Sequence, residues 1–205
     1  MTLEQADIEG IAEDIYRRAK LDPSEPADPH RIAAKLLGDD AIQIVRGGPL
    51  RGDGYLARVG SQWRIYVKAK LSNERRLWVL SHELAEYALR DVVDERIEKL
   101  ADAAAAAVLV PRRAVRRAFR VPEDIPRLSS SLCVSGTLAA LRVGEAGGPP
   151  VAVVAPAHVH VRGPESWSWP SERELRGLAK AGAVGVDRLR LPDDPRRTVL
   201  IVAET

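Results

Sequence analysis

The sequence predicts an α+β fold: a small antiparallel sheet packed by helices, followed by a small mixed α/β region. Three observations lead there. Segments with helical period surround three short alternating segments in the first 145 residues. Apolar residues make up 45% of the 205-residue chain, enough for a buried core. Beyond Gly144-Glu145-Ala146-Gly147-Gly148-Pro149-Pro150, a candidate linker, the pattern becomes strand, strand, helix, strand.

In chain order, Leu3, Ile8, Ile11, Ala12, Ile15, Tyr16 and Ala19 follow helical spacing. Leu21 to Pro29 holds three prolines and reads as a loop. Asp28-Pro29 is an N-cap followed by a first-turn proline, opening a helix to Leu37. Strands follow at Ile42–Val45, Tyr55–Val59 and Trp63–Val67, separated by Gly47-Gly48-Pro49 and Gly60-Ser61. The last strand reads as an edge on which an extended peptide can add. From Ser72 the period becomes helical to about Leu89, and a second helix runs from about Val93 to Val110. Ala114–Arg120 is a short helix, and Ser129–Arg142 a helical pair broken near Ser135. The tail offers strands at Val151–Ala155, His158–Arg162 and Val199–Ala203, and a helix opened by Ser171 with Glu174 as a capping box. The expected division is 1–122 as the core, 123–145 as a helix-turn-helix-like segment and 146–205 as the α/β tail.

Charged residues nearly cancel, at a net charge of +2, so no global field points to nucleic acid. With one cysteine, Cys133, no intramolecular disulfide forms; the thiol reads as a small buried apolar side chain. The N-terminus lacks the apolar run of a signal peptide, and no run is long enough to span a bilayer. A cytoplasmic location without membrane attachment is expected.

The chemistry concentrates at Leu80-Ser81-His82-Glu83-Leu84-Ala85-Glu86-Tyr87. Residues one turn apart share a helix face, so His82 and Glu86 can hold one ion. Glu83 is turned about 100° away, within reach of water on that ion. This is the logic of H-E-x-x-H, in which a carboxylate takes the proton from an activated water. The fifth position here is Glu86 rather than histidine. Carboxylate ligates Zn²⁺, but it weakens the ion as a Lewis acid and favours harder ions such as Mn²⁺. The competing reading is two polar residues on a half-exposed helix.

The next helix supplies Glu98, Ala101, Asp102, an alanine run and Val108-Leu109-Val110-Pro111. Together with Glu74 to Leu80 before the motif and Leu128 to Arg142 after it, this resembles the ImmA/IrrE family of metallopeptidases, over about residues 5–145. The resemblance implies a zincin-like core and a metal-dependent endopeptidase with Glu83 as general base. It also implies His82 and Glu98 as metal ligands, Zn²⁺ as cofactor, and a regulatory protein substrate, typically a repressor, in stress or mobile-element control. Glu86 stands at the family's second ligand position. Three outcomes stay open: Glu86 ligates, another residue substitutes, or the fold is a non-catalytic regulator that binds a repressor or DNA.

The other histidines are His30, His158 and His160. The last two lie two apart on a strand and so face one way, either as a metal pair or as surface polar residues. His30, in a first helical turn, reads as packing or surface. Arg112, Arg113, Arg116, Arg117 and Arg120 line one helical face, either for phosphate contact or as a solvated face paired with Glu123 and Asp124. Within 128–142 only Arg142 suits base reading. Trp167 and Trp169 either cap a ligand cleft or anchor the tail on the core, and anchoring is the expectation.

Overall fold

A computed structural model describes residues 5–46, 52–92, 95–163, 168–181, 186–191, 193–194 and 196–202. Leu3, the Gly47-Gly48-Pro49 turn, Val93, Trp167 and Ala203 lie outside the described residues. The fold is α+β, with eight helices and two small sheets among the described residues. The chain forms two compact units, Met1–Pro111 and Arg112–Thr205.

The first unit comprises α1 (Gln5–Arg18), α2 (Pro29–Leu37), β1 (Ile42–Val45), β2 (Gly54–Val59), β3 (Gln62–Lys68), α3 (Asn73–Leu89) and α4 (Ile97–Leu109). Asp28 caps α2, its carboxylate accepting from the His30 N–H at 2.9 Å. Ser72 caps α3, its Oγ accepting from the Arg75 N–H at 3.2 Å. Ile15, Tyr16, Ile32, Ile65, Val67, Leu80, Leu84 and Val108 make one buried cluster. The Tyr16 hydroxyl ties three segments together, donating to Val108 O at 3.0 Å and accepting from the Ala27 N–H at 3.1 Å.

The first sheet has the order β1-β3-β2. β2 and β3 pair antiparallel, as expected, with Leu56 opposite Ile65. β1 joins the other side of β3 in parallel, with Ile42 opposite Ile65, so the sheet is mixed. The tight turn at Gly60, φ 63°, reverses β2 into β3 and so sends β3 in the direction of β1. This corrects the reading of Trp63–Val67 as an edge. β3 is central, its N–H and C=O groups are used on both sides, and β2 is an outer strand.

The second unit comprises α5 (Arg112–Ala118), α6 (Asp124–Leu132), α7 (Gly136–Glu145), β4 (Val151–Val154), β5 (Val159–Arg162), α8 (Glu172–Ala181), β6 (Val186–Arg190) and β7 (Thr198–Val202). Its sheet is antiparallel, in the order β5-β4-β7-β6. Leu175 and Leu178 of α8 cover Ala152, Val154 and Leu200, joined by Trp169, which packs within this second unit. α7 packs on β4 and β5 so closely that a Cβ on Gly144 would meet Arg162 O at 2.7 Å. Ser171 and Glu174 form the expected capping box: the Ser171 N–H donates to Glu174 at 2.8 Å and the Glu174 N–H to Ser171 Oγ at 3.4 Å. β6 was not legible in the sequence, because its outer-strand position leaves Asp187, Arg188 and Arg190 exposed.

Three side-chain expectations change here. Arg112 and Arg116 donate to Ala146 O at 3.3 and 2.8 Å, at the C-terminus of α7, where a helix end attracts cations. Asp124 accepts instead from the Arg120 and Val121 N–H groups. Arg142 is buried, 1% exposed, and its guanidinium donates to Glu145 at 2.8 Å, so it is not available to read bases. Cys133 is half-buried rather than buried: it closes α6 in the left-handed conformation, φ 52°, with its N–H on the carbonyls of the preceding turn.

Candidate metal centre

α3 and α4 pack side by side through small residues. Ala85 and Leu89 of α3 meet Leu100, Ala101 and Ala104 of α4, all buried. The alanines let the helix axes approach, so short polar side chains on the two helices meet at the margin of that contact.

His82 is the centre of the cluster. Its Nε2 lies 3.6 Å from Glu86 Oε1 on the same helix and 3.6 Å from Glu98 Oε2 on α4. Its Nδ1 lies 2.9 Å from Asp102 Oδ1. Glu83 turns the other way, into the core, and is only 5% exposed. His82, Glu83 and Glu86 each present a ligand atom within 4.8 Å of the others. Glu98, on a separate helix, approaches His82 without belonging to that mutually close trio. Asp102 is the residue whose part the sequence pattern did not disclose, although it lies one turn beyond Glu98 on the same face.

Strand β2 lies over Glu83. A Cβ on Gly54 would meet Val79 Cγ1 at 2.4 Å, Tyr66 O at 2.9 Å and Glu83 Oε1 at 3.4 Å, so only glycine permits this approach. The Leu56 N–H donates to the Glu83 carboxyl. Asp53 fixes the start of the strand to the first turn of α3, accepting from Arg75 Nε at 2.8 Å.

The electrostatics follow from this crowding. Glu86, and then Asp102, push His82 up to about 9, with burial opposing them. Burial, then the adjoining Glu86, pushes Glu83 up to about 8. Glu86 is held low, chiefly by His82.

The donor set fits a divalent ion. Two ligand atoms each about 2.0–2.1 Å from a tetrahedral ion lie about 3.3 Å apart, close to the spacing of Nε2 from both glutamates. Three carboxylates, Glu86, Glu98 and Asp102, face one imidazole, an excess of negative charge that a cation offsets. The second oxygen of Glu83 is buried and has no hydrogen-bond partner among the described residues, as a group awaiting a further ligand would be.

Residues 42–142 match the family model of the IrrE N-terminal-like domain, the peptidase M78 family. The chain carries an IrrE N-terminal-like domain. The match is shorter than the resemblance read from the sequence, beginning at β1 and ending at Arg142, and it holds all four site residues. The IrrE-like domain is thus a metallopeptidase-like one. A solved structure described as a Mycobacterium tuberculosis transcriptional regulator is similar to this chain with a TM-score of 0.57. The match covers 95% of this chain and 86% of that one, at 14% identity, a likeness of fold. No curated protein matches the chain. No helix among the described residues is long and apolar enough to cross a membrane.

His30 pairs with Asp28 at 2.8 Å at the start of α2. His158 and His160 lie on or beside β5 in the second unit, both exposed, with ring centroids 4.5 Å apart.

Proposed function

We propose that this protein is a metal-dependent endopeptidase that cleaves a regulatory protein, a repressor-type transcription factor, in the cytoplasm. The observation that carries the reading is the convergence of Glu86 and Glu98 on one nitrogen of His82 while Asp102 takes the other.

In this reading His82 Nε2, Glu86 and Glu98 hold the ion. Asp102 accepts the Nδ1 proton, which fixes the tautomer and aims Nε2 at the site. When bound, Zn²⁺ acidifies water and polarises the scissile carbonyl. Two carboxylates with one imidazole also suit Mn²⁺. Glu83 takes the proton of the attacking water on its unpartnered oxygen and passes it to the leaving amine. Its buried position raises its basicity, and a divalent charge beside it favours the ionised form. The outer edge of β2, which begins beside Glu83, supports an extended substrate running as an added strand. The regulatory target rests on the family and on the regulator whose fold is shared.

A second reading, a non-catalytic regulator that binds a repressor, is favoured by one contact. The Glu86 carboxyl adjoins Glu83 and raises its affinity for a proton, which ties the base to a neighbouring acid. One experiment separates the two. The purified protein is assayed for bound metal, and co-expressed repressors are followed for cleavage by wild type and Glu83→Gln. Cleavage lost in Glu83→Gln, with metal retained, supports the peptidase. Repressor binding without any Glu83-dependent cleavage overturns it in favour of the regulator.

A further inference from the structure

We propose that His158 and His160 form a second metal site, in the other unit, that takes a borderline divalent ion such as Ni²⁺, Cu²⁺ or Zn²⁺ through two imidazole nitrogens. It does not depend on the peptidase reading, because it shares no residue with the His82 cluster.

Residues two apart on an extended strand project from one side, about 7 Å apart at Cα. Here the two rings meet edge to face, 66° apart in plane, with centroids separated by 4.5 Å. Rings this close can turn one nitrogen each toward a single ion at the usual metal–imidazole distance of about 2.0–2.1 Å, with water completing the coordination. Both side chains are exposed on an outer strand of the sheet, so the ion has an open approach.

The backbone that carries them is fixed in advance. The β4–β5 turn is closed by the Ala155 N–H on His158 O at 2.9 Å. Arg176 of α8 braces that turn, its Nη1 donating to Ala155 O at 2.8 Å. His160 is held opposite Val153 in the β-ladder. A preformed chelate loses less conformational freedom on binding than two mobile side chains would.

Charge is the objection to meet, since Arg162 and Arg197 are close enough to act on His160. Carboxylates offset part of this charge, although Glu145 is shared with Arg142 and Asp194 with Arg196. Arg162 pairs with Glu145 at 2.6 Å and Arg197 with Asp194 at 3.1 Å. Partial burial, then His158 and these arginines, holds the His160 imidazole below its usual range. This favours the neutral imidazole, the form that ligates a metal.

The test is calorimetric titration of the full chain with NiCl₂. The proteins are a His82→Ala background and the same background with His158→Ala or His160→Ala. The expected result is one binding event in the background, lost in both added variants, with unchanged circular dichroism. Selective broadening of the His158 and His160 ring signals by Ni²⁺ in NMR spectra supports the same assignment. Absence of the event in the background overturns the proposal, as does its persistence in either added variant. Titration with inorganic phosphate is the control: phosphate shifting these ring signals where Ni²⁺ does not would make this an anion site and overturn the metal assignment.

Discussion

His82 gives its Nδ1 to Asp102 at 2.9 Å, which leaves Nε2 as the nitrogen that faces Glu86 and Glu98. A carboxylate behind a ligating imidazole sets both its tautomer and its orientation. Asp102→Ala should therefore weaken metal binding about 10–100-fold without removing a ligand. Competition titration against a chromophoric chelator measures this; an affinity within a factor of two of wild type would remove Asp102 from the site.

Glu86→His should raise affinity for Zn²⁺ relative to Mn²⁺, because imidazole is the softer donor and sheds one negative charge. The ratio of the two dissociation constants, measured on wild type and variant, is the readout. An unchanged ratio would mean that Glu86 does not face the ion.

The two raised groups set a pH dependence for the metal-free protein. His82 holds its proton up to about 9 when folded, against about 6.5 when unfolded, so its stabilisation is complete below about 6.5 and lost as pH rises to about 9. Glu83 keeps its proton up to about 8 when folded, which likewise makes stability fall as pH rises above its unfolded value of about 4.5. The metal-free Tm should therefore decline between about pH 4.5 and 9, first through Glu83 and then through His82. A divalent ion competes with the His82 proton, so the rise in Tm on adding metal should grow over the same interval. Differential scanning calorimetry with and without metal follows both trends.

Gly54→Ala should destabilise the first unit by about 1–3 kcal/mol, the usual cost of forcing an added methyl into a packed site. The methyl would lie 2.4 Å from Val79 Cγ1 and 2.9 Å from Tyr66 O, and the backbone oxygen cannot swing aside. Chemical denaturation gives the value, and a change below the error of the fit would show that β2 moves freely away from α3.

Tyr16→Phe removes one hydroxyl that serves both Val108 O and the Ala27 N–H. Leaving buried backbone groups without partners costs about 1–3 kcal/mol. The loss should appear in denaturation and in faster amide exchange at Ala27.

Much of this is legible in the sequence alone. Asp28-Pro29, Ser72 and the Ser171/Glu174 pair mark helix starts through local chemistry, and the structure caps α2, α3 and α8 there. The shared face of His82 and Glu86 follows from helical geometry, whereas Glu98 enters only through the family resemblance. What the sequence withheld is non-local. Strand order depends on which edge β1 takes, and nothing in Ile42–Val45 states it. The closeness of Gly54 to Glu83 follows from that packing and leaves no local mark. Likewise Arg112 and Arg116 find their partner at Ala146, thirty residues on, rather than at nearby acids.

The alanines of α4 act as a gauge for the centre. Ala101 and Ala104 have no exposed surface, and they set how far Glu98 and Asp102 stand from His82. A larger side chain at either position would part the two helices and dissolve the ligand cluster while every ligand remained in place. Changes that undo this cluster are therefore to be sought among the smallest and chemically blandest residues as much as among the charged ones.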